Sequence, residues 1–264
     1  MLQLYEGSTS VCAIKVRLVL FEKTISFKSC PIDLRVGEQF DPDYLKLNPN
    51  GVVPTLVDNG TPVVESSVIM QYLEDKHPLP SLLPIEATNQ ARMRRLIRCI
   101  DDEVHPSTGN ITHATVYRPR FLSLHASAQA ARLAKIPDEN RRRRRAAVYM
   151  DGLEAPIVVD AIKRFDKLIS DMETALTLGD YLAGSAYSLA DAAVTPYINR
   201  LSDLGLLTLW ADGAPRTLSW FDAIRKRDSF AQAVIDYMTE ADKKAFEGID
   251  PETPMRIRRI LNGL

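Results

Sequence analysis

The sequence predicts a small α/β domain followed by a larger, all-helical one. Three observations carry this prediction. Strand-like alternation is confined to the start of the chain, a helix-length apolar run separates the first two strand patterns, and from about Glu86 onward helical spacing replaces alternation altogether. The boundaries that follow are an N-terminal domain over 1–80, a linker over 81–87 and a helical domain over 88–264.

Leu2 to Tyr5 alternates as a short strand. Cys12 to Lys23 carries apolar residues at Ile14, Val16, Leu18, Val19, Leu20 and Phe21, with charges at Lys15, Arg17 and Glu22, the pattern of a helix with one buried face. Ile25 to Ile32 is a second extended run. Strand, helix and strand form a βαβ unit, whose strands should be parallel neighbours under a right-handed crossover. Asn48-Pro49-Asn50-Gly51 reads as a turn, and Thr55 to Val57 and Pro62 to Val64 flank Asp58-Asn59-Gly60, a strong hairpin signal. Ser66 is expected to cap a helix reaching about Lys76, after which Pro78, Pro80 and Pro84 interrupt the chain. Later helices are expected over Arg92 to Asp102, Ala126 to Lys135, Ile157 to Leu178, Ser188 to Leu204 and Trp220 to Lys226. Ser188-Leu189-Ala190-Asp191 has the form of a capping box, a folding device rather than a catalytic one.

Composition narrows the function. With 264 residues, 45% of them hydrophobic, the chain can bury a substantial core. Its 33 lysines and arginines nearly balance 34 aspartates and glutamates, so no overall field draws it to nucleic acid or to an anionic membrane. The start Met-Leu-Gln-Leu-Tyr-Glu has no signal-peptide pattern, and a cytoplasmic location is expected. Cys12, Cys30 and Cys99 are irregularly spaced and suit neither a disulfide framework nor a zinc site, so no metal is expected. The run Arg141 to Arg145 would point all round a helix axis, as solvated arginines or as an interface with acidic neighbours.

Four stretches stand in a telling order: Ser10-Val11-Cys12-Ala13-Ile14-Lys15-Val16-Arg17; Asn48-Pro49-Asn50-Gly51-Val52-Val53-Pro54-Thr55-Leu56; Val64-Glu65-Ser66-Ser67 leading to Tyr72-Leu73; and Tyr181-Leu182-Ala183-Gly184 followed by Tyr187-Ser188-Leu189-Ala190-Asp191. Over nearly its whole length the chain resembles the glutathione S-transferase superfamily. The resemblance implies a thioredoxin-like first domain, a helical-bundle second domain, a homodimer, and glutathione as co-substrate with no metal. It further implies a cis Val53–Pro54 bond, so that the Val53 backbone meets the cysteinyl unit of glutathione as an added strand would, with Val52 and Thr9 beside it. Glu65 would accept the ligand's ammonium group, and Ser66 with the first amides of its helix would take the γ-glutamyl carboxylate.

For the chemistry, Ser10 falls where serine-type transferases carry their thiolate-stabilising serine, counting back from Lys15-Val16-Arg17. Cys12 matches the cysteine of the cysteine-type enzymes, which form a mixed disulfide, and Thr9 is a third candidate. All three lie at the positive end of the first helix, which favours a thiolate. The acceptor pocket, for a small hydrophobic, aromatic electrophile, falls in the helical half, with Val11, His105 and Tyr117 as candidate lining. Ile136-Pro137-Asp138-Glu139 followed by arginines, then Asp180-Tyr181-Leu182, is similar to the bacterial β-aryl etherases. Four readings stay open at this point: thiolate transfer, β-aryl ether cleavage, a disulfide reductase working through Cys12, and a non-catalytic binding module.

Overall fold

The computed structural model describes residues 1–136 and 138–263; Pro137, within the etherase-like stretch, and Leu264 lie outside them. Strand β1 (Leu2–Glu6) is followed by helix α1 (Val11–Glu22) and by β2 (Phe27–Pro31), which returns parallel to β1. After a short helix α2 (Pro42–Leu47), β3 (Thr55–Asp58) runs antiparallel to β1, and β4 (Thr61–Val64) antiparallel to β3. The sheet order is β2-β1-β3-β4, with Leu4 opposite both Ser29 and Leu56. Helix α3 (Ser66–Lys76) completes a thioredoxin-like domain.

The rest is helical. Helix α4 (Ala87–Cys99) passes through a wide π-type turn at Ile100–Val104 into α5 (His105–Thr112), and a second such turn at His113–Tyr117 leads into α6 (Arg118–Leu122). Then follow α7 (Ala126–Ala134), α8 (Glu139–Asp151), α9 (Pro156–Ala175), α10 (Leu189–Asp203), α11 (Pro215–Arg225), α12 (Asp228–Phe230), α13 (Glu240–Glu247) and α14 (Thr253–Leu261). Two starts come earlier than the apolar spacing indicates. Helix α4 begins at Ala87, because its first turns are polar, and α11 begins at Pro215, whose fixed φ suits a first helical position.

Three local expectations need correction. Helix α1 does not have one buried face and one charged, exposed face: it lies between the sheet, α3 and α10, and Val11 to Leu20 are buried except for half-buried Cys12. Lys15 and Arg17 are fully enclosed, which is tolerable only because each has partners, as buried charges require. Ser66 is not the cap of α3 but its first residue. The cap position belongs to Glu65, at φ 68°, whose side chain makes no capping bond. Among the arginine run, Arg143 pairs with Glu139 on the outside, whereas Arg145 turns inward against His113.

The capping box at α10 is present, and it does more than cap. Asp191 is fully enclosed; one carboxylate oxygen accepts the Ser188 amide at 3.0 Å and hydroxyl at 2.9 Å, the other the Leu182 amide at 3.0 Å and Trp220 Nε1 at 2.9 Å. Asp191→Ala strands several buried donors at once. We expect it to cost about 3 kcal/mol or more in urea unfolding, and Asp191→Asn, which keeps the shape and two acceptor lone pairs, distinctly less.

Candidate active site

The loop from Gly7 to Ser10 delivers the chain into α1. Ser10 is extended (φ −64°, ψ 116°) and its Oγ accepts the Ala13 amide at 3.3 Å, the bond of an N-cap. Its hydroxyl proton donates to no partner among the described residues. Cys12 is the second residue of α1 and so lies in the helix's first turn, where the unpaired amides gather positive potential.

Cys12 meets three other elements there. Its Sγ lies 3.4 Å from Nδ1 of His105, the first residue of α5, and 4.0 Å from the hydroxyl of Tyr197 on α10; that hydroxyl is 3.5 Å from the same His105 nitrogen. The Ser66 hydroxyl at the start of α3 is near enough to favour the thiolate as well. Burial alone pushes the Cys12 thiol up. The charge and hydrogen bond of His105, then the charge of Lys15 and the Ser66 hydroxyl, outweigh burial and bring it down to about 7. In return the Cys12 thiolate holds His105 above the usual imidazole range, against the opposing effect of burial. Each partner thus favours the charged form of the other, Cys12 as thiolate and His105 as imidazolium. Lys15, one turn further along α1, is fixed by Ser67 Oγ and Asp101 Oδ1, both at 2.7 Å.

A direct check is site-resolved alkylation by iodoacetamide. The rate at Cys12 should be half-maximal near pH 7 and should fall below it as the thiolate is protonated. In His105→Leu the midpoint should move upward, since burial then acts with less opposition. Cys99 provides the contrast, because burial, aided by Glu103 and Asp171, raises its thiol.

The sequence-derived site residues divide into groups. Ser10, Cys12, Ser66 and His105 gather at the junction of α1, α3 and α5. Glu65 is exposed beside them, and Val53, in the cis peptide with Pro54, precedes β3. The Val52 carbonyl is occupied, accepting from Tyr44 Oη at 2.6 Å and Asn48 Nδ2 at 2.9 Å. The Thr9 carbonyl accepts from Arg200 Nη2 at 2.5 Å. Val11 is buried in the apolar core, so it packs rather than lining an open surface. Tyr117 stands apart, 4.9 Å from the ring of His113. Reading the sequence missed Tyr197, Asp101, Ser67 and Arg200, and gave Lys15 no role in the chemistry; of these only Lys15, three residues after Cys12 on one helix, carried a local signal.

Both halves of the chain are similar to known proteins. Residues 4–81 match the family described as glutathione S-transferase, N-terminal domain, and residues 128–223 the glutathione S-transferase, C-terminal domain. The glutathione S-transferase TCHQD of Arabidopsis thaliana is 26% identical over 243 residues, covering 89% of this chain and 90% of that protein. The glutathione S-transferase Z1 of the same plant is 41% identical over 90 residues, 34% of this chain and 41% of that one. Among solved structures, the β-etherase LigF of Sphingobium sp. strain SYK-6 superposes with a TM-score of 0.80 at 24% identity, covering 89% of this chain and 99% of LigF. Glutathione transferase F7 of Populus trichocarpa superposes at 0.70 with 23% identity, covering 90% and 100%. With both of its halves matched in order and the fold shared, this chain belongs to the glutathione S-transferase superfamily.

Proposed function

We propose that the protein transfers glutathione to a small hydrophobic, aromatic electrophile. Glutathione binds the N-terminal domain. Its γ-glutamyl carboxylate sits at the start of α3 beside Ser66, its ammonium against Glu65, and its cysteinyl backbone against Val53, with Val52 and Thr9 adjoining. Its thiol loses a proton to solvent, and the Ser10 hydroxyl and the first turn of α1 stabilise the thiolate. The sulfur attacks carbon, a carbon–sulfur bond forms, and a halide or aryloxide departs with the electron pair. A β-aryl ether, leaving as aryloxide, is one acceptor this scheme admits. The observation that carries the reading is the Ser10 hydroxyl, which caps α1 with its oxygen and keeps its proton free to donate.

The pairing of Cys12 with His105 favours a second reading, glutathione-dependent disulfide reduction. The Cys12 thiolate would attack a disulfide containing glutathione, forming a Cys12–glutathione disulfide and releasing the other thiolate; a second glutathione would then release oxidised glutathione and restore Cys12. Cys12→Ala separates the two. Conjugation of 1-chloro-2,4-dinitrobenzene that survives in Cys12→Ala supports transfer through Ser10, whereas its loss, together with loss of reduction of a glutathione mixed disulfide, moves the function to Cys12. A wild-type chain that neither binds immobilised glutathione nor transfers its thiol would instead be a binding module.

A further inference from the structure

Away from Cys12, the inner face of the helical domain carries a cluster that the reaction above does not use. Arg145 of α8 bonds through Nη1 to Nε2 of His113, whose Nδ1 is 2.8 Å from the Tyr149 hydroxyl. The half-buried Tyr117 ring lies 4.9 Å from His113, beside the arginine, whereas Tyr149 stacks on Phe121 at 4.0 Å inside the core. Arg141 is one turn before Arg145 and therefore on the same side of α8. Burial first, then the charges of Arg145, Arg132, Arg141 and Arg200, keep His113 well below the usual imidazole range and hence neutral at physiological pH. Among the described residues, Arg132, Arg141 and Arg145 form no side-chain ion pair; Glu139 and Asp203 lie against Arg143 and Arg200, and Asp138 caps α8 by accepting the Arg141 amide at 2.6 Å. Half-buried guanidinium groups without a counter-charge repel one another and have lost part of their hydration.

Arg200 connects this cluster to the site. It reaches from the Thr9 carbonyl (2.5 Å) to the Thr112 hydroxyl (3.2 Å), next to His113, so one side chain spans the gap between the loop that carries Ser10 and the arginines. We propose that Arg141 and Arg145 bind the carboxylate of an aromatic acceptor whose ring lies against Tyr117. This rests on the transferase reading and names its substrate class: an aromatic acid that bears a leaving group. A planar carboxylate matches the paired donors of a guanidinium, and an aromatic floor beside it matches the ring.

The test pairs binding with turnover on the full chain. Titration calorimetry with unreactive 3,5-dinitrobenzoate and its neutral counterpart 1,3-dinitrobenzene should show the acid binding about tenfold more tightly, a preference that falls about tenfold in Arg145→Met and in Arg141→Met. Should Arg145→Met fail to fold, Arg141→Met, at a half-buried position, gives the same reading. Equal affinity for both compounds, or a preference unchanged in the variants, overturns the proposal. In turnover, 4-chloro-3,5-dinitrobenzoate should exceed 1-chloro-2,4-dinitrobenzene in kcat/KM, and the ratio should fall in the same variants. Conjugation of the neutral chloride alone, with no binding of the acid, sinks the arginine site and leaves the transferase standing. Arginine-dependent binding of the acid with neither chloride consumed supports the arginine site and sinks the transferase reading.

Discussion

Ser10→Ala is expected to lower kcat/KM for glutathione conjugation about a hundredfold, the range seen when one donor to a developing or held negative charge is removed. The loss should fall in kcat, with glutathione affinity changed only a few-fold, because Ser66, Glu65 and the Val53 backbone stay in place. The pH profile supplies a second signature. With its donor gone, the glutathione thiol is stabilised as thiolate only by the α1 terminus, so the rate should rise at a higher pH than in the wild type. Ser10 also accepts the Ala13 amide, and losing that cap costs about 1 kcal/mol, so kinetics should be measured well below the unfolding midpoint. Unchanged kcat in Ser10→Ala, set beside a dead Cys12→Ala, would transfer the chemistry to the thiol.

The largest effect on stability is expected at Arg17. Its Nη1 pairs with Glu6 Oε2 at 2.5 Å, Nη2 donates to the Ser8 carbonyl at 2.7 Å, Nε donates to the Ala233 carbonyl at 2.8 Å, and its guanidinium lies 3.9 Å from the centroid of the Tyr237 ring. Glu6 in turn accepts from Ser29 Oγ at 2.7 Å. Arg17→Met leaves Glu6 enclosed without its cation, and breaking such a pair from one side costs about 3–5 kcal/mol. Urea unfolding of Arg17→Met should show that loss, and Glu6→Gln/Arg17→Met should recover part of it, since the stranded charge is gone. No recovery in the double variant would mean that the bonds to Ser8 and Ala233, rather than the ion pair, carry the energy.

Much of the fold was legible because its signals are local. The alternation of Leu2 to Tyr5, the Asp58-Asn59-Gly60 hairpin and the Ser188-x-x-Asp191 box each rest on neighbours in sequence, and each corresponds to an element in the structure. Helix α1 shows where such reasoning stops. Lys15 and Arg17 look like a solvated face until one knows that Asp101, Ala233 and Tyr237 approach from elsewhere in the chain. The same holds at the thiol. His105 stood among several aromatic and imidazole residues with nothing to select it, because its 3.4 Å approach to Cys12 is made by tertiary packing across 93 residues of sequence. Tyr197 and Arg200 arrive on α10 in the same way, and no spacing announces them.

The Arg17 network also bears on protein engineering. Since the Ser8 peptide in the loop before α1 is held by a cation that also grips the carbonyl of Ala233, the two domains are not interchangeable cassettes. A chimera that kept the first domain and took its helical half from a relative would have to carry across an equivalent of the Ala233–Tyr237 segment and of Asp101. Otherwise the graft would leave Lys15 without its carboxylate and the Arg17 Nε without its acceptor inside the protein, and the damage would appear in the Gly7–Ser10 loop of the half that was never altered.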